Sequence, residues 1–271
     1  MLRSDLDRPV FRQRYPTALL TETKSGKSRG RVYLIEDGAK RLYVRVTGSD
    51  SDANRAELAA ITALSRLGIP VPEAICAFQD DVCSYLVLSC VDGIPIEDGL
   101  KDADEAESFR LGEIMGALLQ RIHSMPVEEL DELPRPSYDW WRWIRNHLNE
   151  LPSSDLPMAL EPTMAFVHND FVPHNILLKR DHLEVAALID FEWSFVGDPD
   201  WDVGHLRSWL NTGEYANPDD CWQGVLNTYR RPFNDNAATL YASVRDPESM
   251  GLWEGSLPPP ISWLRNDAAE H

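Results

Sequence analysis

Apolar and polar residues alternate with a period of two over much of the first ninety positions. Runs rich in β-branched and aromatic residues predict strands at positions 31–36 and 41–46. Asp37-Gly38 lies between them, and this dipeptide favours a tight hairpin because both central turn residues need positive φ. A second strand pair is predicted at positions 74–78 and 84–90, with a turn at Asp80-Asp81. The pattern therefore indicates antiparallel strands.

A helix is predicted between the two strand pairs. Ser51 and Asp52 are residues that cap free backbone N–H groups, so the helix is expected to start there. Gly68 is expected to end it. Four apolar residues at helical spacing mark its predicted buried stripe: Leu58, Ile61, Leu64 and Leu67.

The periodicity changes from 2 to 3.6 after positions 91–95, where glycine and proline interrupt the chain. Positions 105–123 predict an amphipathic helix, and positions 138–151 an aromatic-rich one. The apolar side of the first of these carries Leu111, Ile114, Met115, Leu118, Leu119 and Ile122. We interpret the change as a boundary between two lobes, residues 1–91 and 92–271.

Composition excludes several classes of protein. The 271 residues are 43% hydrophobic and 26% charged, which is typical of a globular domain rather than a disordered, collagen-like or membrane-spanning chain. With 26 basic and 44 acidic residues the formal net charge is −18, which disfavours binding to nucleic acid or to an anionic membrane. The charge suits cationic ligands and divalent metals, although acidity also serves solubility alone.

Cysteine usage and the N-terminal sequence predict the compartment. The four cysteines include no C-x-x-C pair, which favours a reducing environment and gives no signal for structural zinc. The first residues are charged and lack the apolar stretch of a secretory signal. We therefore expect a cytoplasmic protein.

Candidate chemistry is concentrated between positions 165 and 192. A short apolar strand leads into His168 and Asp170; Asn175 follows, then a strand, a turn at 179–182 and a strand that ends at Asp190. Phosphoryl transfer needs one carboxylate to hold the acceptor hydroxyl, with an amide and a second carboxylate to hold Mg²⁺ against nucleotide phosphates. A hairpin would bring Asn175 and Asp190 side by side although they are distant in sequence.

Several motifs here resemble those of a known family. The segments are H-x-D-x-x-x-x-N at 168–175, I-D-F-E at 189–192 and G-D-P-x-x-D at 197–202, with a hinge-like stretch at 89–95 and L-H-S ending a helix at 118–124. They resemble the aminoglycoside phosphotransferase and choline-kinase-like small-molecule kinases. The resemblance implies an α+β, bilobal protein-kinase-like fold, with an antiparallel sheet in the N-terminal lobe and a mostly helical C-terminal lobe.

The resemblance also implies roles for residues of the second lobe, which would be catalytic and substrate-binding. Asp170 would be the catalytic base, and His168 would brace its loop. Asn175 and Asp190 would bind Mg²⁺. Asp202 would order the catalytic loop by accepting backbone hydrogen bonds.

The first lobe would bind the nucleotide, ATP or GTP. Arg45 stands where the family often has lysine, and Glu57 is expected to pair with it. Gly26 would belong to the nucleotide loop, although no full G-x-G-x-x-G is present. Ser89 and Val91 would lie at the hinge beside the nucleotide.

Some residues permit two interpretations from sequence alone. Glu192 could act behind the metal aspartate or be an exposed acid. His123 could cap carbonyls at its helix end or pack between the lobes. His174 fits a loop side chain better than a second base. Gly26-Lys27-Ser28 imitates a P-loop, but Thr21 replaces the required glycine, so a P-loop NTPase is disfavoured.

The acceptor is less determined by the sequence than the reaction. A small molecule bearing a hydroxyl group is expected, and a cationic one, such as an aminoglycoside or other amino-sugar compound, suits the acidic charge. Choline-like, sugar and nucleoside acceptors stay open, as does a catalytically silent module that binds a nucleotide or a partner. The protein is expected to be a monomer or a homodimer.

Overall fold

A computed structural model describes residues 6–23, 30–38, 40–49, 53–133, 135, 164–180, 184–212 and 214–245. Several predicted features lie outside these ranges. They are the loop with Gly26, the cap at Ser51-Asp52, the aromatic helix at 138–151 and part of the turn at 179–182.

The first lobe is built on a five-stranded antiparallel sheet. Its strand order is β1-β2-β3-β5-β4, and every neighbouring pair is antiparallel. The strands are β1 (Leu19–Glu22), β2 (Arg31–Asp37), β3 (Lys40–Gly48), β4 (Ala74–Gln79) and β5 (Cys83–Ser89). Both predicted strand pairs are present; β1 was not predicted, because its side chains are mostly exposed and show no alternation.

The β2–β3 turn differs in detail from the expectation. Asp37 pairs with Lys40, so Asp37 remains in the strand instead of forming the centre of the turn. Gly38 has a φ of +63°, whereas Asp37 is not among the described residues with positive φ. Gly38 therefore lies in the turn, where the left-handed conformation costs glycine little.

Helices α1 (Pro9–Arg14) and α2 (Ala53–Arg66) accompany this sheet. The predicted stripe of α2 is partly wrong: Ile61 and Leu64 are buried, Leu58 is half-buried and Leu67 is 39% exposed. Leu67 follows the last helical residue, and Gly68 at φ +72° turns the chain away. The remaining buried positions of α2 are alanines, Asn54 and Glu57.

The second lobe contains short strands among helices. It has a two-stranded sheet of β10 and β7 and a three-stranded sheet in the order β6-β8-β9. In chain order the elements are β6 (Ile94–Pro95), α3 (Ile96–Leu100), α4 (Glu105–His123), a 3₁₀ turn (Val127–Leu130), β7 (Ala165–Val167), a 3₁₀ turn (Pro173–Asn175), β8 (Ile176–Leu178), β9 (Val185–Leu188), β10 (Phe195–Gly197), α5 (Asp200–Leu210), α6 (Pro218–Thr228) and α7 (Asp235–Arg245).

The α4 helix has the predicted bounds and forms the centre of the larger core. Asp104 caps it by accepting the Glu107 N–H at 2.8 Å. All of its predicted apolar stripe is buried except Ile114, which is half-buried. Apolar residues of α2 belong to the same core, so the first-lobe helix is anchored in the second lobe. Within the described ranges, no helix has the length and apolar character that crossing a bilayer requires.

Close packing of α4 on α6 depends on glycine. A Cβ at Gly112 would lie 2.0 Å from the carbonyl oxygen of Cys221, which is a backbone atom that cannot move aside freely. We expect Gly112→Ala to lower the free energy of unfolding by about 1–3 kcal/mol through overpacking. Each kcal/mol lost should lower the Tm by about 2–4 °C. Thermal unfolding followed by circular dichroism measures this.

Gly99→Ala is the matched control, because a Cβ there would lie 3.4 Å from a flexible Leu111 methyl group. Equal Tm values for Gly112→Ala and the parent protein would contradict the packing argument.

Candidate active site

The loop between β7 and β8 is fixed by a carboxylate from a different element. Asp202, fully buried in the first turn of α5, accepts the backbone N–H of His168 and that of Asn169, each at 2.8 Å. Asn169 has a φ of +66°, a conformation that asparagine tolerates better than most residues. The expected hydrogen bonds from the loop backbone to Asp202 are therefore present.

Asn169 supports the loop in a way that the sequence analysis missed. Its Oδ1 accepts the Trp201 indole N–H at 2.5 Å, and its Nδ2 donates to the carbonyl of Trp193 at 3.1 Å. The sequence did contain a signal for this role, since an asparagine between His168 and Asp170 suits a left-handed turn.

His168 links the loop to the segment that carries Asp190. It is buried; its Nε2 lies 3.1 Å from the Ile189 carbonyl oxygen, and its Nδ1 lies 3.2 Å from the backbone nitrogen of Asp170. Burial lowers the pKa of His168, which favours the neutral ring. A neutral ring that donates from Nε2 and accepts at Nδ1 satisfies both contacts.

Asn175 holds Asp170 and also brings Asp190 near. The Asn175 Nδ2 donates to Asp170 Oδ2 at 2.8 Å and to the Asp170 carbonyl at 2.9 Å. The Asn175 carbonyl accepts the Ile189 N–H at 3.0 Å, at the open end of the β8–β9 hairpin. Asp190 follows with a φ of +68°. Residues 15 positions apart in sequence are thus placed together by one hairpin.

Arg45 is surrounded by carboxylates. It lies on the opposite face of β3 from the buried Val44 and Val46, because side chains alternate along a strand. Its Nε contacts Glu57 Oε2 at 2.7 Å and its Nη2 contacts Asp190 Oδ1 at 2.7 Å. The expected pair with Glu57 forms.

Glu192 is the third carboxylate on Arg45. Its Oε2 lies 2.5 Å from Arg45 Nη1, and its side chain is only 2% exposed. The alternative of an exposed acid at Glu192 is therefore wrong. Sequence alone could not decide this, because the burial results from β3 packing over a segment 147 residues away.

The charges in this cluster influence one another. Burial raises the pKa of Glu57, and Asp190 and Glu192 add to that rise, whereas Arg45 and the Phe191 N–H oppose it. Burial would weaken the charge of Arg45, but the three carboxylates hold its pKa above its ordinary value. Arg45 is therefore a cation.

The donor set suits magnesium. With its Nδ2 turned toward Asp170, Asn175 offers Oδ1 as an oxygen ligand, and the Asp190 side chain is 34% exposed. Amide and carboxylate oxygens are hard ligands of the kind Mg²⁺ takes beside substrate phosphates. Among the described residues no group of three or more His, Cys, Asp or Glu could hold a metal; a site completed by phosphates does not require one.

Two other first-lobe candidates, Ser89 and Val91, lie where the interior strand β5 ends. Ser89 ends β5, where its N–H donates to the Glu73 carbonyl and its Oγ accepts the Glu73 N–H, each at 2.9 Å. Val91 follows it and is half-buried. Gly30 serves strand packing, since a Cβ there would lie 2.6 Å from the Val46 carbonyl oxygen.

His123 has a different environment from either expectation. It is buried, with its Nε2 3.1 Å from Asp202 Oδ2 and its Nδ1 2.8 Å from the Tyr229 hydroxyl. It therefore supports the carboxylate that orders the loop carrying Asp170. His174 packs its ring against Trp209, with centroids 5.1 Å apart, as a loop side chain would.

Buried acids near the start of α5 predict a pH dependence of stability. Burial and the neighbouring Asp198 raise the pKa of Asp200 from 3.8 to about 7. Between these values the folded state binds more protons than the unfolded chain, so this group's contribution to stability falls as pH rises from about 4 to about 7. Asparagine cannot titrate but can still accept the Asn234 N–H, so the Tm of Asp200→Asn relative to the parent should rise across this window.

The measurement is thermal unfolding at several pH values, with the exposed Asp219→Asn as control. A Tm difference between Asp200→Asn and the parent that stays constant over the window would contradict the assignment.

Solved structures similar to this chain include aminoglycoside phosphotransferases. An aminoglycoside-3'-phosphotransferase of type VIII is 19% identical, with a TM-score of 0.67, covering 86% of this chain and 94% of its own. APH(3'')-Id of Streptomyces rimosus, in complex with ADP and streptomycin, is 19% identical with a TM-score of 0.67 and coverages of 89% and 97%. The streptomycin–ATP complex of APH(2'')-IIa is 18% identical with a TM-score of 0.64 and coverages of 96% and 96%. These similarities confirm the expected protein-kinase-like α+β fold.

Sequence comparisons lead to the family. Acyl-CoA dehydrogenase family member 10 of Mus musculus is 26% identical over 199 residues, which are 64% of this chain and 19% of that protein. The chain thus spans about a fifth of the length of this curated relative. Residues 21–220, which include the loop carrying Asp170, the β8–β9 hairpin and Arg45, match the model of the phosphotransferase enzyme family, APH. The chain belongs to the phosphotransferase enzyme family.

Proposed function

We propose that this protein transfers the γ-phosphoryl group of ATP, or of GTP, to a hydroxyl group of a small molecule. The observation that carries the proposal is the grouping of Asp170, Asn175 and Asp190. Asn175 holds the Asp170 carboxylate with its side chain, and its backbone is bonded to the residue before Asp190. Membership in a phosphotransferase family supports this reaction.

Asp170 orients the acceptor. One of its carboxylate oxygens is fixed by Asn175, and its backbone N–H lies against His168 Nδ1, so the side chain has a defined direction. Holding a hydroxyl in line with the phosphorus supplies much of the rate acceleration in phosphoryl transfer. Asp170 then takes the hydroxyl proton late, because a loose transition state needs little assistance from a base.

Asn175 Oδ1 and the Asp190 carboxylate would hold Mg²⁺, which neutralises charge on the nucleotide phosphates when it is bound. Arg45, oriented by Glu57, would contact the phosphates that are not transferred. Nucleotide complexes of structural neighbours support a nucleotide as donor: one contains ADP and another ATP.

An aminoglycoside or another amino-sugar compound is the acceptor class that we favour. Two of the three neighbouring enzymes named above were solved with streptomycin, and the net charge of −18 suits a cationic acceptor. Choline-like, sugar and nucleoside acceptors are the alternatives in the same assay. We place the reaction in the cytoplasm, where ATP is available and the four free cysteines stay reduced.

Asp170→Asn tests the catalytic assignment. We expect the parent to phosphorylate at least one acceptor in a panel of aminoglycosides, other antibiotics, sugars and amino alcohols with labelled ATP or GTP. The variant should lose about 10²–10⁴-fold in kcat, because asparagine neither holds the hydroxyl as a charged acceptor nor takes its proton. Its affinity for the nucleotide should be retained.

The exposed Asp219→Asn serves as the matched control and should leave kcat unchanged. Nucleotide binding without turnover of any acceptor by the parent would favour the silent module instead.

Asp190→Asn tests the metal assignment. Losing one carboxylate charge should weaken the response to Mg²⁺, because the neutral amide is a poorer ligand for a hard cation. We expect the Mg²⁺-dependent part of the ATP-induced Tm shift to disappear, while any Mg²⁺-independent part stays. A Mg²⁺ titration of the variant that superimposes on that of the parent would remove Asp190 from the site.

A further inference from the structure

We infer that Glu192 is a positioning residue for Arg45, and that its presence is the reason why arginine rather than lysine serves at position 45. The inference rests on the proposed function, in which Arg45 contacts nucleotide phosphates. It concerns the residue behind Arg45 and not the metal ligands themselves.

The guanidinium of Arg45 is enclosed by acidic side chains. Three different nitrogens of Arg45 lie within ion-pair distance of three different carboxylates: Nη2 donates to Asp190, Nη1 donates to Glu192, and Nε lies beside Glu57 without hydrogen-bond geometry. The Arg45 side chain is 8% exposed, and those of Glu57 and Glu192 are 2% exposed. The plane of the guanidinium is therefore set by contacts on three sides.

Arginine and lysine differ in the number and arrangement of their N–H donors. Arginine has five N–H donors in a rigid fork, whereas a lysine ammonium has three on a single nitrogen. Three carboxylates would use every proton of a lysine and leave none for a phosphate. In Arg45, Nη1 and Nη2 each donate to one carboxylate and Nε lies beside the third, so one planar group reaches all three.

A buried charge without a partner lowers the stability of the fold. A buried carboxylate that loses its partner is strongly destabilising, because water cannot replace the lost contact. Lysine at position 45 could not satisfy Glu57 and Glu192 from opposite edges as the fork does. The Glu192 charge would then destabilise the Arg45→Lys variant, and replacing Glu192 with glutamine would remove that penalty.

The place of Glu192 in the chain also connects it to the proposed active site. It lies two residues after Asp190, and the N–H of the intervening Phe191 donates to Glu57. The segment 190–192 is therefore held against both β3 and α2. Removing the Glu192 charge would release one edge of the guanidinium while this backbone contact stays.

Glu192→Gln is the first test. We expect at least about a tenfold rise in the KM and in the calorimetric Kd for Mg²⁺-ATP, with kcat within a few-fold of the parent, because hydrogen bonds to charged groups are among the strong ones. Glu184→Gln is the matched control: Glu184 is an exposed glutamate that pairs with Lys179 on the β8–β9 hairpin, and its loss should change neither constant. A lowered Tm with unchanged KM and Kd would show a structural role only and overturn the inference.

A double-mutant cycle tests the arginine requirement. Arg45→Lys alone should lose both Tm and nucleotide affinity, and Arg45→Lys with Glu192→Gln should recover part of each relative to Arg45→Lys. Strictly additive losses would overturn the inference.

The two proposals fail in different ways. If the parent binds Mg²⁺-ATP but phosphorylates no acceptor, the proposed reaction is wrong. The Kd values for Mg²⁺-ATP in the double-mutant cycle then still test the role of Glu192. A parent that binds no nucleotide overturns both.

Discussion

The Asp202 carboxylate is buried at the start of α5, where water cannot solvate it. It therefore needs hydrogen-bond donors, and the backbone N–H groups of His168 and Asn169 and the ring of His123 lie around it. These contacts fix the loop from which Asp170 projects. The placement of the Asp170 carboxylate, which we propose to be catalytic, thus depends on the buried carboxylate of Asp202.

A second buried charge joins the two lobes. Arg45 belongs to the first-lobe sheet, and two of its carboxylate partners, Asp190 and Glu192, follow the β8–β9 hairpin of the second lobe. Ion pairs of this kind stabilise a fold weakly on balance, because desolvation offsets much of the attraction. Their value here is orientation: the fork of Arg45 and the direction of Asp190 are set by the same contact.

Much of the architecture could be predicted because local patterns were strong. The α4 helix has its predicted bounds, since an N-cap and a long apolar stripe agree there. The predictions were weaker where a short element depends on its partner. Strands β1 and β10 were not predicted, because an exposed four-residue strand and a buried three-residue strand have no alternation to detect. Leu67 fitted the helical stripe on paper, but the helix ends one residue before it.

The sequence by itself determined the chemistry available: motif spacing placed Asp170, Asn175 and Asp190 around one hairpin, because a hairpin's geometry follows from its length and turn. Only the tertiary structure decided how the supporting residues act. Burial of Glu192, the contact of His123 with Asp202 and the three carboxylates on Arg45 all join segments far apart in the chain. Local sequence carries no record of which distant backbone will exclude water from a side chain, and that exclusion is what makes these charges bind each other.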